Sequence, residues 1–313
     1  MRALILDVGL ETYLREPLGR DILEYQTEYL KAANIFSKII VLTDTIAEDY
    51  TQSNVYYYVC AQPPKYEFLK SVLDDQPFLL LNGPVLTDFP AVKIRDLFFN
   101  GVLDLLCLTA VEMRGSTFAL EKTTGGVLLT AFGAGETAAQ IYVINPLLLT
   151  YYFHERFELR IFLTEILKHR KQVVCRTTPE WTECVNNYPA YINASRHLKN
   201  SEHLPGQLID GSYYGKNCEV DFSAELSGTQ FFGDNCAVGK NCVLKNSVLL
   251  GGNKIGEAVR LSDVILQKNV CVGRHCELRN SLIGANSVIE NNVRIPEGMI
   301  IAPDSIIKSG SGV

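Results

Sequence analysis

YGKNCEVDFSAELSGTQFFGDNCAVGKNCVL, residues 214–244, repeats every six residues. A large apolar residue stands at Tyr214, Val220, Leu226, Phe232, Val238 and Leu244. Beyond this stretch the position recurs, after one-residue slips, at Ile255 and Leu261, at Val272 and Leu278, and at Ile283, Ile289, Ile295, Ile301 and Ile307. A helix repeats at 3.6 residues and an ordinary strand at 2, so a sustained six predicts a solenoid of short parallel strands.

Two residues before each large position stands a small or β-branched one: Cys218, Ala224, Cys236, Cys242, Val248, Val259, Val270, Cys276, Ser287 and Val293. Both side chains fit a narrow prism, with the residue between them facing water. Before the small residue Asn or His is frequent (Asn217, Asn235, Asn241, Asn269, His275, Asn286, Asn292), and after the large one Gly is frequent (Gly215, Gly233, Gly239, Gly256, Gly273, Gly284). Both types suit positive-φ corners. Such hexads, three to a triangular coil, resemble the left-handed parallel β-helix, and about sixteen of them predict about five coils. The outward residues Leu249, Leu250, Ile265 and Met299 are read as candidates for a buried subunit contact.

The chain has 313 residues, 47% hydrophobic and 20% charged, with a net charge of -6. That is enough for two folded domains and offers no electrostatic pointer to nucleic acid or an anionic membrane. The opening MRALILDVGLETYLRE has an apolar run too short for a signal peptide or a membrane span, so it reads as a buried strand in a cytoplasmic protein. Of nine cysteines none forms a C-x-x-C pair, and four occupy the small inward hexad slot, which predicts reduced core residues rather than disulfides or zinc ligands.

Before the hexads the pattern alternates as in an α/β domain. Strands are expected at Ala3–Leu6, Lys38–Leu42, Val55–Val59, Phe78–Leu81, Leu103–Thr109, Gln140–Ile144 and Gln172–Cys175, with a hairpin over Thr117–Leu129. Helices are expected at Ile22–Ala33, Tyr66–Leu73, Val92–Phe99, Arg156–His169 and Tyr188–Leu198. Ile22, Tyr25, Tyr29 and Leu30 would share the buried face of the first helix, and Glu155–Arg160 would be a solvated helix face with i, i+4 charge pairs. The Tyr56-Tyr57-Tyr58 run reads as a strand with one exposed aromatic. The polar segment Lys199–Gly206 marks the boundary before the solenoid.

An α/β domain followed by hexad coils resembles the nucleotide-sugar pyrophosphorylases, which join a nucleoside triphosphate to a sugar 1-phosphate. The resemblance runs through Met1–Leu10 (first strand and phosphate loop), ILEYQTEYLKAANIFSKIIVLTD at 22–44, FLLLNGPVLTD at 78–88, IYVINP at 141–146 and Trp181-Thr182-Glu183, the counterpart of a W-x-D motif. It implies a Rossmann-like nucleotidyltransferase domain at 1–187, a connecting helix and linker at 188–206 and the β-helix at 207–313. The family's reaction gathers several phosphate charges, which requires backbone N–H groups, cations and carboxylate-held Mg2+.

Relative to that family the chain lacks most of this equipment. The G-x-G-T-R loop reads Gly9-Leu10-Glu11-Thr12-Tyr13, and the lysine-bearing segment is missing between Glu16 and Gly19. The metal-binding G-D reads Gly83-Pro84, and the E-K-P segment reads Phe132-Gly133-Ala134. The first reading is therefore a non-catalytic regulatory or scaffolding subunit, like the inactive subunits beside active pyrophosphorylases or the related subunits of the translation-initiation exchange factor. It assigns no catalytic residue, no metal site and no cofactor, but a weak nucleotide or sugar-nucleotide pocket at Gly9, Leu10, Asn82 and Gly83. Its partners would be a second copy or a catalytic homologue docked through the β-helix, with no nucleic acid or membrane. A second reading keeps nucleotidyl transfer, with Arg15 or Arg20 replacing the lost cations and Asp88 with Glu183 holding Mg2+. A third makes the solenoid a hexapeptide-repeat acyltransferase with His275 as its base, against which stands the corner slot His275 occupies.

Overall fold

The computed structural model describes residues 1–7, 21–44, 54–60, 62–110, 118–123, 126–132, 140–152, 154–169, 171, 173–178, 180–198 and 207–310. They divide into two compact units, one ending at Asn186 and the other running from Asn187 through the solenoid.

The first unit is a mixed α/β structure. In chain order it contains β1 (Arg2–Asp7), α1 (Ile22–Ala32), β2 (Ile39–Thr43), β3 (Val55–Val59), α2 (Tyr66–Leu73), β4 (Phe78–Asn82), β5 (Val85–Thr87), α3 (Ala91–Asn100) and β6 (Leu105–Ala110). There follow β7 (Phe118–Thr123), β8 (Gly126–Phe132), β9 (Ile141–Ile144), α4 (Leu159–Lys168), β10 (Val173–Thr178) and β11 (Thr182–Cys184). Among the described residues nine strands form one sheet in the order β3-β2-β1-β4-β9-β6-β10-β8-β7. β1 to β4 are mutually parallel, β9 runs antiparallel between β4 and β6, and the β7–β8 hairpin closes one edge. Strand alternation sends Leu4 and Leu6 to one side with Leu69 of α2 and Phe162 of α4, and Ala3 and Ile5 to the other with Leu30 of α1 and Ile94 of α3. A sheet covered on both sides explains the unbroken apolar runs of its central strands.

Most expected elements are present within one to three residues. The buried face of α1 is Ile22, Leu23, Gln26, Thr27 and Leu30, with Tyr25 and Tyr29 only partly covered. Helix α4 begins at Leu159 rather than Arg156. Arg156 instead bridges to Lys65 and donates from Nη1 to Pro63 O (2.9 Å), while Glu155 pairs with Lys65 (3.4 Å), so the i, i+4 charge pattern at 155–160 is not on a helix. The short β5–β11 ribbon, outside the main sheet, was not expected from sequence. Tyr56 is the exposed aromatic of β3. The expected boundary at 199–206 lies outside the described residues.

The second unit comprises α5 (Tyr188–Leu198) and a parallel β-helix opened by an antiparallel hairpin, β12 (Gln207–Ile209) and β13 (Ser212–Tyr214). Its three faces stack in register. One runs through Tyr214, Phe232, Leu249, Leu266, Ile283 and Ile301, the next through Val220, Val238, Ile255, Val272, Ile289 and Ile307, the third through Leu226, Leu244, Leu261, Leu278 and Ile295. Five coils are complete, as the hexad count requires. Leu249 and Leu266 are the inward residues that the sequence reading passed over. Each slip is one residue deleted at the same corner, between the third and first faces, so the inward slot before Leu249 is Ser247, not Val248.

This phase overturns the proposed contact residues. Leu249 is part of the solenoid core, and Met299 packs against it. Ile265 projects from the first face with Phe231, Val248 and Leu282, yet all four, and Leu250, are buried by this chain's own atoms. They are not available to a second copy.

The corner assignments hold for Asn and His but not for Gly. Asn217, Asn235, Asn241, Asn269, His275, Asn286 and Asn292 all have φ between 54° and 61°. Their side chains form ladders, such as Asn269 Nδ2 to Asn286 Oδ1 (3.3 Å) and Asn286 Nδ2 to Asp304 Oδ1 (3.1 Å). The six glycines are absent from the positive-φ residues. A Cβ on Gly233 would stand 2.5 Å from Leu250 O, and on Gly239 2.9 Å from Gly256 C. Glycine is required there by the approach of the neighbouring coil's backbone, not by its own φ.

All nine cysteines are free thiols, and Cys236, Cys242 and Cys276 are buried in the solenoid core. Burial pushes the Cys236 thiol up to about 12 from an ordinary 9.0, and raises Cys242 and Cys276 as well. A thiol held protonated only in the folded state contributes stability that is complete below its unfolded pKa, the ordinary value of 9.0, and is lost as pH rises toward the folded value. The urea midpoint is therefore expected to fall as pH rises above about 9, and to fall less steeply in Cys236→Val. An equal slope in the variant would exclude this thiol as a cause.

Candidate functional site

In open α/β sheets ligands bind beyond the carboxyl ends of the strands, where successive connections run to opposite sides. Here β2 and β3 lie to one side of β1 and β4 to the other, which puts that point at the ends of β1 and β4. Register brings Asp7 beside Thr43 and Leu6 beside Asn82.

Asp7 is only 3% exposed and accepts a hydrogen bond from Thr43 Oγ1 at 3.2 Å. A carboxylate so far from water needs such partners. Asn82 donates from Nδ2 to Gln140 Oε1 (2.6 Å) and from its backbone N–H to Gln140 O (2.9 Å). Gly83, at φ 82°, makes the turn out of β4. Its N–H donates to Leu6 O (2.7 Å), and its carbonyl accepts from Val85 N–H (2.9 Å) and Gln26 Nε2 (2.8 Å). Gln26, buried in α1, also donates to Val85 O at 3.0 Å and so ties the helix to the turn.

The chemical consequence is specific. Space is open beside Gly83, since a Cβ there would meet nothing within 4 Å. Yet the backbone N–H groups of Asn82 and Gly83, the donors a phosphate would use, are already committed within the protein. Asp7, Thr43, Asp44 and Asn82, which end these strands, include two carboxylates and no cation. The described part of this tip suits a neutral hydroxyl or base edge better than a polyphosphate.

Of the sequence-derived candidates, Asn82 and Gly83 meet here, while Gly9, Leu10, Arg15 and Arg20 lie outside the described residues. Glu183 lies in β11, and Asp88 directly follows β5. Glu183 pairs through its backbone with Leu86, and Asp88 N–H donates to Trp181 O (2.9 Å). The ribbon is fastened by Thr87 and Thr182, whose hydroxyls are 2.6 Å apart. Pro84 is buried, and its carbonyl accepts from Val185 N–H at 2.9 Å. Among the described residues no three His, Cys, Asp or Glu side chains are grouped to hold a metal ion. His275 is a left-handed corner, φ 57°, whose N–H donates to Glu257 O at 2.9 Å. It has the structural position of the corner asparagines. Gln26 was not picked out from sequence; its signal was a polar residue on the apolar face of α1.

Residues 210–313 match the family model described as EIF2B subunit epsilon LbH domain. The match covers the solenoid from the β12–β13 turn onward, and the stacked parallel sheets agree with a left-handed β-helix of hexapeptide repeats. No curated protein matches the chain. Among the described residues no helix is long and apolar enough to cross a membrane.

Proposed function

We propose that the chain is a non-catalytic, nucleotidyltransferase-like subunit of an assembly of the translation-initiation exchange-factor type. In this reading residues 1–187 form a degenerate sugar-phosphate nucleotidyltransferase domain, 188–206 connect, and the β-helix of 207–313 docks a catalytic homologue or a second copy. The observation that carries it is the tip of β4. Where the pyrophosphorylase resemblance expects a metal-binding aspartate stands the buried Pro84, and the adjacent Asn82 and Gly83 N–H groups are spent on Gln140 and Leu6. A hard cation finds no oxygen side chain at that position and a phosphate finds no uncommitted backbone N–H on that turn. The EIF2B epsilon match of the β-helix supports the same reading from the other end of the chain.

Gly9, Leu10, Asn82 and Gly83 would keep a shallow site for a nucleotide or nucleotide sugar. Calorimetric titration with each nucleoside triphosphate and a nucleotide sugar is expected to give dissociation constants of about 1 mM or weaker, a binding free energy of about -4 kcal/mol, unchanged by Mg2+. Gly83→Leu, which fills the open space, should abolish even that. Micromolar binding that requires Mg2+ would reject the proposal and favour transfer through relocated Arg15, Arg20, Asp88 and Glu183.

A further inference from the structure

We infer that the third face of the β-helix is a docking surface for an acidic stripe on an α-helix of a partner protein. The strands of this face are three residues long through its middle, so each coil presents two outward positions flanking one inward leucine. Lys245, Arg260, Arg279 and Arg294 occupy these positions one per coil, alternating between the two columns. All four are exposed. In a chain of net charge -6 this places a zigzag of cations on a rigid support.

Glu277 interrupts the zigzag in an informative way. Its carboxylate, 18% exposed, takes ion pairs from Arg279 Nη2 and from Arg294 Nη2 (3.0 Å). It fixes two guanidinium groups without neutralising both, whereas Lys245 and Arg260 make no ion pair within the described residues. The coils rise about 4.8 Å each. An α-helix laid along the stack presents side chains at i, i+4, i+7 and i+11 on one face, over about 16.5 Å at about 1.5 Å per residue. Four acidic side chains in that pattern would drift out of step with four cations, spread over about 14.4 Å of stack, by only about 2 Å, within the reach of lysine and arginine stems. Single-stranded nucleic acid fits less well, because none of the outward residues of this face is aromatic and base stacking would have no platform.

The test uses the full chain and a fluorescent helix-forming peptide with Glu at positions i, i+4, i+7 and i+11. Its scrambled isomer and a single-stranded RNA oligonucleotide serve as competitors at low salt. The expected result is at least ten-fold tighter binding of the striped peptide than of either competitor, weakening with salt. Lys245→Gln/Arg260→Gln should lose at least ten-fold with an unchanged melting temperature, and Lys254→Gln on the second face should lose nothing. Glu277→Gln, which releases Arg279 and Arg294, should tighten binding several-fold. Equal affinity for striped and scrambled peptides, tighter binding of the oligonucleotide, or an unaffected double variant would each overturn the inference.

Discussion

Gly284→Ala is expected to destabilise the β-helix by about 3 kcal/mol, at the upper end for an overpacked core. The new Cβ would stand 2.6 Å from Ala302 C and 2.7 Å from Pro303 Cα, and closer still to Pro303 N. All three are backbone atoms of the following coil, tied down by Gly284 N–H to Ile301 O at 2.8 Å, so no side chain can rotate away. In a stacked array the strain falls on the interface between adjacent coils, so the urea transition should lose cooperativity as well as midpoint. Gly211→Ala is the control. Gly211 has φ 74° in the β12–β13 turn with nothing within 4 Å of its Cβ position, so alanine there should cost only about 1–2 kcal/mol, the left-handed penalty of an ordinary residue. Equal losses in the two variants would mean that backbone approach does not govern the hexad glycines.

The second large effect lies inside the prism. Asn253 is fully buried in an inward slot otherwise filled by small or branched residues such as Cys236 and Val270. Its Oδ1 accepts from Gly251 N–H at 3.0 Å and its Nδ2 donates to Gln267 O at 2.7 Å, which pins the Gly251-Gly252 corner. Asn253→Ala would strand a buried donor and a buried acceptor and leave a cavity. The expected loss is about 3 kcal/mol, read from chemical denaturation. A loss below 1 kcal/mol would show that the corner relaxes or admits water, and that Asn253 is not its anchor.

The solenoid was largely legible because its period is imposed by geometry. Each hexad must bring one large and one small side chain inward and turn a corner, and those needs leave separate marks on the sequence. What was misread follows from the same geometry. Deleting a residue at a corner shifts phase locally, so Leu249 looked outward when it is the inward residue of its coil. Asn253 was not picked out from sequence, because the inward slot is otherwise marked by small or branched apolar residues and a fully buried asparagine there carries no such mark. The glycines were assigned a conformational reason because sequence carries φ preference directly but inter-coil distance only through the fold.

The candidate site was less legible. Strand order decides where a ligand could sit, and no local pattern in β1 or β4 reveals that β2 and β4 flank β1 from opposite sides. Substitutions such as Gly83-Pro84 could be seen only against a resemblance. That the Gly83 N–H is already engaged by Leu6 required coordinates, since it depends on two strands far apart in sequence.

Under the proposed function, the chain keeps a nucleotidyltransferase-like frame without its phosphate-handling chemistry. Pyrophosphate release, followed with saturating Mg2+, each nucleoside triphosphate in turn and a panel of sugar 1-phosphates, tests it most directly. No release above the rate without protein is expected; Mg2+-dependent release that scales with protein concentration and is lost in Glu183→Gln would refute the proposal.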